Sequence, residues 1–124
     1  ISPMLEAYRS RIDTVYAACD TLIQGEQQGE DAVVAFVKKY KLPDFACIES
    51  GVRKGSLVGT VADFSEIGKL AGEKAALILQ GATPQSLETN TVARPFIYIN
   101  ETTAHALGIT IPQALLLKIK EIIH

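Results

Sequence analysis

The chain has 124 residues and a formal net charge of −2, with 48% hydrophobic and 21% charged residues, which suits one folded globular domain over residues 1–124. It has no dense Lys/Arg cluster, and this argues against a nucleic-acid partner. It has no apolar run near the roughly 20 residues of a membrane span and no signal-peptide pattern at its start. We therefore expect either a cytoplasmic protein or a chain that begins downstream of its targeting segment.

The first half of the chain predicts a β-α-β unit with parallel strands. Residues 12–18 are a β-rich run with apolar side chains at both odd and even positions, which favours a strand that is covered on both faces. Residues 31–40 place apolar side chains on one helical face. Pro43 stops that helix, and residues 44–48 predict the second strand.

The second half predicts another strand, a long helix and two shorter helices. Residues 56–61 form the strand, and Asp63 is the expected N-cap of a helix over residues 64–80. Residues 88–99 are expected to be extended. Asn100 caps a helix over residues 101–107, and a last helix runs from Pro112 to residue 123. This order predicts an α/β fold with a mainly parallel sheet flanked by helices.

Cys19 and Cys47 both fall near the ends of predicted strands. They allow one disulfide and no metal cage. Because free cysteines are among the most often buried residues, we expect two small buried thiols, with the disulfide as the alternative.

The sequence does not indicate a catalytic or cofactor site. Residues 48–52 lack the glycines of a nucleophile elbow, and residues 51–56 lack the phosphate-loop pattern and predict a polar turn. His105 is expected on a helix surface, and no His/Cys spacing suits a metal. The carboxylate pairs are expected on solvated helix surface; these are Glu30 with Asp31 and Glu66 with Glu73. We expect no enzyme activity, no cofactor and no metal.

Polar residues follow each of the three predicted parallel strands. In open α/β sheets, ligands bind outside the carboxyl ends of the strands, so these residues predict half of a polar binding cleft. The exposure of strand ends explains the same pattern equally well. The candidate ligand-binding residues are Asp20, Thr21, Glu49, Ser50, Gly51, Asp63 and Phe64.

A series of motifs then occurs in a fixed order. Gly-Ser-Leu-Val-Gly-Thr-Val-Ala-Asp-Phe at residues 55–64 precedes Ile-Leu-Gln-Gly-Ala-Thr-Pro at residues 78–84. Ile-Tyr-Ile-Asn at residues 97–100 is followed by Leu-Gly-Ile at 107–109 and Ile-Pro at 111–112. In order and spacing, this series resembles the ABC transporter substrate-binding protein family, in particular its TrpX-like members.

The resemblance implies one Rossmann-like lobe of a periplasmic-binding-protein type I fold, from the carboxyl-terminal part of a two-lobe solute-binding protein. It implies capture of a small polar ligand, such as an amino acid, by lobe closure. The implied partners are this ligand and ABC permease subunits. The implied location is periplasmic or extracellular, with a lipid anchor as one option. A ligand-sensing domain of a signalling protein and a stand-alone α/β interaction domain are the alternatives.

The resemblance also implies roles for individual residues. Asp20 or Asp63 would suit a ligand ammonium group, and Ser50 with nearby backbone amides would receive a carboxylate. Glu49 departs from this scheme because it adds a second acid beside Ser50. Residues 60–64 and 93–96 are expected to be hinge crossings. The apolar face of the helix over residues 64–80 would pack on the other lobe, and we expect self-association of this chain without that cover.

Overall fold

A computed structural model describes residues 1–24, 28–91 and 95–124. The helices are α1 (Ser2–Tyr8), α2 (Thr21–Gln24), α3 (Gln28–Tyr40), α4 (Glu49–Lys54), α5 (Phe64–Leu79), α6 (Glu101–Ala106) and α7 (Gln113–Leu116). The strands are β1 (Val15–Ala17), β2 (Asp44–Ala46), β3 (Val58–Val61), β4 (Phe96–Asn100) and β5 (Ile119–Ile123). Residues 93 and 94 of the expected second hinge crossing lie outside the described residues.

The chain divides into two compact units. The first comprises Ile1–Val61 and Phe96–His124, and the second comprises Ala62–Pro95. The single domain expected over residues 1–124 stays a prediction.

The first unit contains one five-stranded sheet with the strand order β1-β2-β3-β4-β5. β1, β2 and β3 are parallel to one another, β4 is antiparallel to β3, and β5 is parallel to β4. The predicted α/β class with a mainly parallel sheet is therefore confirmed.

Two apolar clusters stabilise the first unit. In one cluster Val33, Phe36 and Val37 of α3 pack with Leu5 of α1 and Ala17 of β1. These α3 residues recur at the spacing of one helical face, so burial follows directly from the sequence pattern. The other cluster packs α4 against strands β2, β3, β4 and β5; its members are Ala46, Val52, Val61, Tyr98 and Ile123.

One face of the sheet is open at β1 and β2. Tyr16 and Phe45 are paired across these strands, and they are 69% and 45% exposed. The prediction that residues 12–18 are covered on both faces is therefore wrong in the described part of the chain. The reason is that α3 and α4 pack on the opposite face, which carries Ala17 and Ala46.

Two segments differ from the sequence-based expectation because of long-range pairing. The last helix is α7 alone, and the expected helix over residues 119–123 is instead β5, which hydrogen-bonds to β4. Three isoleucines among these five residues suit a strand, and pairing with β4 outweighs the local helical pattern. Of the segment 88–99 expected to be extended, only residues 96–99 lie in a strand within the described residues.

The second unit is built around α5. Asp63 is its N-cap, as predicted, and Asp63 Oδ1 accepts hydrogen bonds from the backbone N–H groups of Ser65 and Glu66, both at 3.0 Å. The helix has no buried residue, and Phe64 is 69% exposed. None of the helices in residues 1–24, 28–91 and 95–124 is both long and apolar enough to cross a membrane.

Candidate ligand-binding edge

A disulfide joins the loops that follow β1 and β2. It links Cys19 to Cys47, whose Cα atoms lie 5.4 Å apart. The expectation of two buried thiols is therefore wrong, and Cys19 is in fact exposed. Because β1 and β2 are parallel neighbours, the loops at their carboxyl ends meet at one edge of the sheet. We call this edge the loop edge; it includes Asp20 and Thr21 after β1, and Glu49, Ser50 and Gly51 in the first turn of α4 after β2.

Asp20 and Thr21 lie on the exposed side of the loop edge. Asp20 Oδ1 accepts a hydrogen bond from the Leu22 N–H at 2.8 Å, and the Asp20 carbonyl accepts one from the Ile23 N–H. This side-chain turn starts α2 at Thr21. Within the described residues, the second carboxylate oxygen of Asp20 accepts no hydrogen bond, so it is available to a ligand.

Ser50 is anchored to a carboxylate inside the protein. Its hydroxyl donates to Glu30, with Oγ 3.0 Å from Oε1 and 3.2 Å from Oε2. Lys54 Nζ lies 2.8 Å from Glu30 Oε2 and 2.8 Å from Asp31 Oδ1. These two carboxylates raise the pKa of Lys54, with the Asp31 hydrogen bond as the largest cause.

Glu30 is the residue of this cluster that the sequence reasoning missed. It is 7% exposed, so its expected position on solvated helix surface is wrong. Glu30 precedes Val33 and Val37 by three and seven residues, and both of those are buried. The helical spacing therefore places position 30 on the same face as the core residues, and the contacts with α4 bury its carboxylate.

Gly51 is required by the packing of its neighbours. A Cβ atom at this position would lie 2.8 Å from Ala46 Cβ and 3.0 Å from Glu30 Oε1. The polar turn expected over residues 51–56 is wrong up to residue 54, because α4 extends from Glu49 to Lys54. Gly51 therefore lets this helix approach both β2 and Glu30.

Glu49 is held within the first unit by Arg53. Glu49 Oε1 accepts from Arg53 Nε at 2.6 Å, and Arg53 also pairs with Glu121 of β5 at 2.9 Å. Burial raises the pKa of Tyr98, and the charge of Glu49 adds to that rise. Much of the Glu49 charge is thus compensated inside the protein, which sets it apart from Asp20.

Asp63 and Phe64 belong to the second unit. The Oδ1 atom of Asp63 already accepts two backbone hydrogen bonds at the start of α5, and Phe64 presents an exposed ring. Their roles as ligand-binding residues stay predictions. His105 lies on the exposed surface of α6, as expected.

A cavity of about 340 Å³ lies at the opposite end of the sheet, near Asn100 and His124. Two of the polar side chains that line it have partners in the protein: Lys38 Nζ donates to the Lys54 carbonyl, and His124 Nδ1 lies 2.8 Å from Glu101 Oε2. No group of three or more His, Cys, Asp or Glu side chains could hold a metal ion among the described residues. The Asp20 oxygen that accepts no hydrogen bond within the described residues makes the loop edge the better candidate site.

A parallel α/β unit that ends in polar loops is the architecture of a ligand-binding lobe. Residues 2–123 match the family model for ABC transporter substrate binding proteins, and the chain belongs to this family. The tyrosine-binding protein of Clostridioides difficile (strain R20291) is similar, with 28% identity over 107 residues, 86% of this chain and 30% of the relative.

Two solved structures have the same fold. One is the ABC domain from Streptococcus pneumonia in complex with L-Trp, which is 27% identical with a TM-score of 0.81 over 99% of this chain and 41% of that chain. The other is a conserved domain protein from Vibrio cholerae O1 biovar eltor, 27% identical with a TM-score of 0.78 over 98% of this chain and 40% of that chain. The chain thus spans 30% to 41% of the length of these relatives.

Proposed function

We propose that this chain is part of the solute-binding component of an ABC-type transporter and that its ligand is an amino acid. Membership of the substrate-binding family supports this proposal. The tyrosine-binding relative and the related complex with L-Trp make an aromatic amino acid the first ligand class to test. The observation that carries the proposal is the loop edge, where a disulfide joins the polar loops after two parallel strands.

In this proposal Asp20 binds the ammonium group of the ligand. Asp20 is exposed and directly follows Cys19 of the disulfide, and its second carboxylate oxygen accepts no hydrogen bond within the described residues. A charge-assisted hydrogen bond of this kind is about twice as strong as a neutral one. Asp63 and Phe64 of the second unit stay candidate ligand-binding residues on the family resemblance.

Transport follows from closure of two lobes around the ligand, which presents the closed form to permease subunits. Closure removes the ligand from water and strengthens its contact with Asp20. The proposed location of the receptor is periplasmic or extracellular, where a disulfide persists. A lipid anchor would keep such a receptor near its permease.

Calorimetric titration of the complete gene product with L-tyrosine, L-tryptophan and the other amino acids tests this function. We expect binding of an amino acid and a drop in affinity of roughly 10- to 100-fold in Asp20→Asn, because a hydrogen bond to a charged group is lost. Asp13→Asn is the matched control, since it removes an exposed carboxylate that precedes β1. Absence of binding to every amino acid would refute the proposal.

A further inference from the structure

The hydrogen bond between Ser50 and Glu30 has a fixed direction. Glu30 is buried and is paired with the ammonium group of Lys54 at 2.8 Å. A carboxylate in such an ion pair only accepts hydrogen bonds. The hydrogen between Ser50 Oγ and the Glu30 oxygens, at 3.0 and 3.2 Å, therefore comes from Ser50.

This direction determines what Ser50 offers to a ligand. A serine hydroxyl has one hydrogen and two lone pairs. Since the hydrogen is donated inward to Glu30, the hydroxyl can only accept a hydrogen bond from an outside group. The sequence-based hypothesis that Ser50 receives a ligand carboxylate requires the hydrogen that Glu30 already takes.

We infer that Glu30 is a positioning residue that makes Ser50 a hydrogen-bond acceptor, so that the loop edge selects the ammonium group of an amino acid over its carboxylate. The inference rests on the proposed function. Within the described residues, the second carboxylate oxygen of Asp20 is another open acceptor, in the loop that the disulfide ties to Cys47 just before α4 and Ser50. Two acceptors that follow neighbouring parallel strands suit an ammonium group, which has three donors.

The position of Glu30 is constrained from several sides. Lys54 bridges Glu30 and Asp31, and Gly51 leaves the space that the Glu30 carboxylate fills. Replacing Glu30 by glutamine keeps the size of the side chain but adds an N–H donor. The amide can then donate to Ser50 Oγ and leave the hydroxyl hydrogen free to face the ligand. Glu30→Gln therefore tests the direction of the bond with little change in volume.

The experiment compares three ligands with one aromatic ring in common. These are L-tyrosine, its amine tyramine and its carboxylate analogue 3-(4-hydroxyphenyl)propionate; if L-tryptophan binds more tightly, the corresponding indole compounds replace them. Affinities are measured by calorimetry on the complete gene product and on Ser50→Ala, Glu30→Gln and Glu30→Asp. Ser86→Ala is the matched control, because its exposed hydroxyl donates to the Thr83 carbonyl in the second unit.

We expect Ser50→Ala to lower the affinity for the amino acid and for the amine by about tenfold or more. The affinity for the propionate should not change. Glu30→Gln should reduce the preference for the amino acid over the propionate by about tenfold. Glu30→Asp should restore part of that preference because it keeps the carboxylate. Ser86→Ala should bind all three ligands as the wild type does.

The outcomes separate this inference from the proposed function. If the wild type binds no amino acid, both fail. If it binds one, but folded Glu30→Gln keeps the full preference for the ammonium group, only the inference fails. If Glu30→Gln does not fold, Ser50→Ala decides. The inference is overturned if Ser50→Ala lowers the affinity for the propionate, or if it lowers the affinity for none of the three ligands.

Discussion

Cys19 and Cys47 are joined by a disulfide that ties the loop after β1 to the loop after β2. The two cysteines are 28 residues apart in sequence. A cross-link over that separation reduces the entropy of the unfolded chain, and its loss lowers the free energy of unfolding by about 2–4 kcal/mol.

We therefore expect a reducing agent to lower the midpoint of urea unfolding for the wild type. The double variant Cys19→Ser/Cys47→Ser should have the lower midpoint from the start and should not respond to the reductant. Circular dichroism during urea titration checks both expectations. A wild-type midpoint that stays the same after full reduction, verified by thiol counting, would contradict them.

Gly51→Ala is expected to destabilise the chain by about 1–3 kcal/mol, because the added methyl group overlaps Ala46 and Glu30. Gly72→Ala is the matched control. A Cβ at position 72 meets no atom within 4 Å, and alanine is favoured over glycine inside a helix such as α5. We expect this control to gain about 0.5–1 kcal/mol in free energy of unfolding. Equal effects of the two substitutions in denaturant titrations would show that position 51 is not tightly packed.

We expect the stability of the protein to depend on pH through Asp44. It is fully buried, Oδ1 accepts from the Leu57 N–H at 2.8 Å, and Oδ2 has no partner in the described part of the chain. Burial raises the pKa of Asp44 above its ordinary value of 3.8, although the hydrogen bonds from Ser56 and Leu57 oppose the rise. Between these two pKa values the folded protein binds more protons than the unfolded chain. Its free energy of unfolding therefore falls as pH rises through this window, and the contribution is level above it.

Asp44→Asn removes this titration while the amide keeps an acceptor for Leu57. We expect the free energy of unfolding of Asp44→Asn, relative to the wild type, to rise as pH increases from below 4 through the raised pKa. Urea unfolding at a series of pH values measures this difference. A difference that is constant with pH would mean that Asp44 titrates alike in both states.

Asn100 joins two helices through its side-chain amide. Its Nδ2 donates to the Val52 carbonyl at 2.9 Å, and its Oδ1 accepts from the Thr103 N–H at 2.8 Å as the N-cap of α6. Asn100→Ala should lower the free energy of unfolding by roughly 1–3 kcal/mol, because it loses the cap of α6 and the bond to the Val52 carbonyl, which keeps the Gly55 N–H as a donor. Asn100→Ser keeps a capping oxygen but loses the amide donor, so its effect in thermal and urea unfolding should be smaller. Equal losses would assign the whole effect to the bond with Val52.

Self-association of the chain is the expected consequence of the exposed apolar side chains on α5. Ile67 and Ile78 lie on one helical face and are 40% and 42% exposed. Light scattering should show a mass that rises with concentration, and the double variant Ile67→Glu/Ile78→Glu should stay monomeric. Lys69→Glu is the control, since it changes an exposed polar position of the same helix. A monomeric wild type at all concentrations would refute this expectation.

Local patterns in the sequence determined α3, α5 and the caps Asp63 and Asn100. Each of these signals acts within a few residues of its own helix, so no distant partner is needed. The signals are the apolar face of α3, the polar cap residues and the helix stop at Gly81. The polar residues after β1 and β2 could also be predicted, because each follows its own strand. The family was recognisable for a similar reason, since its motifs are short and occur in a fixed order.

Only the tertiary structure decided the state of β5, the cysteines and Glu30. Residues 119–123 become a strand because β4 supplies hydrogen-bond partners that lie 22 or 23 residues earlier in the chain. Cys19 and Cys47 meet because two parallel strands end side by side, and Glu30 is buried because α4 brings Ser50 and Lys54 against it. Each depends on the free energy of contacts between distant segments, which a local pattern does not contain.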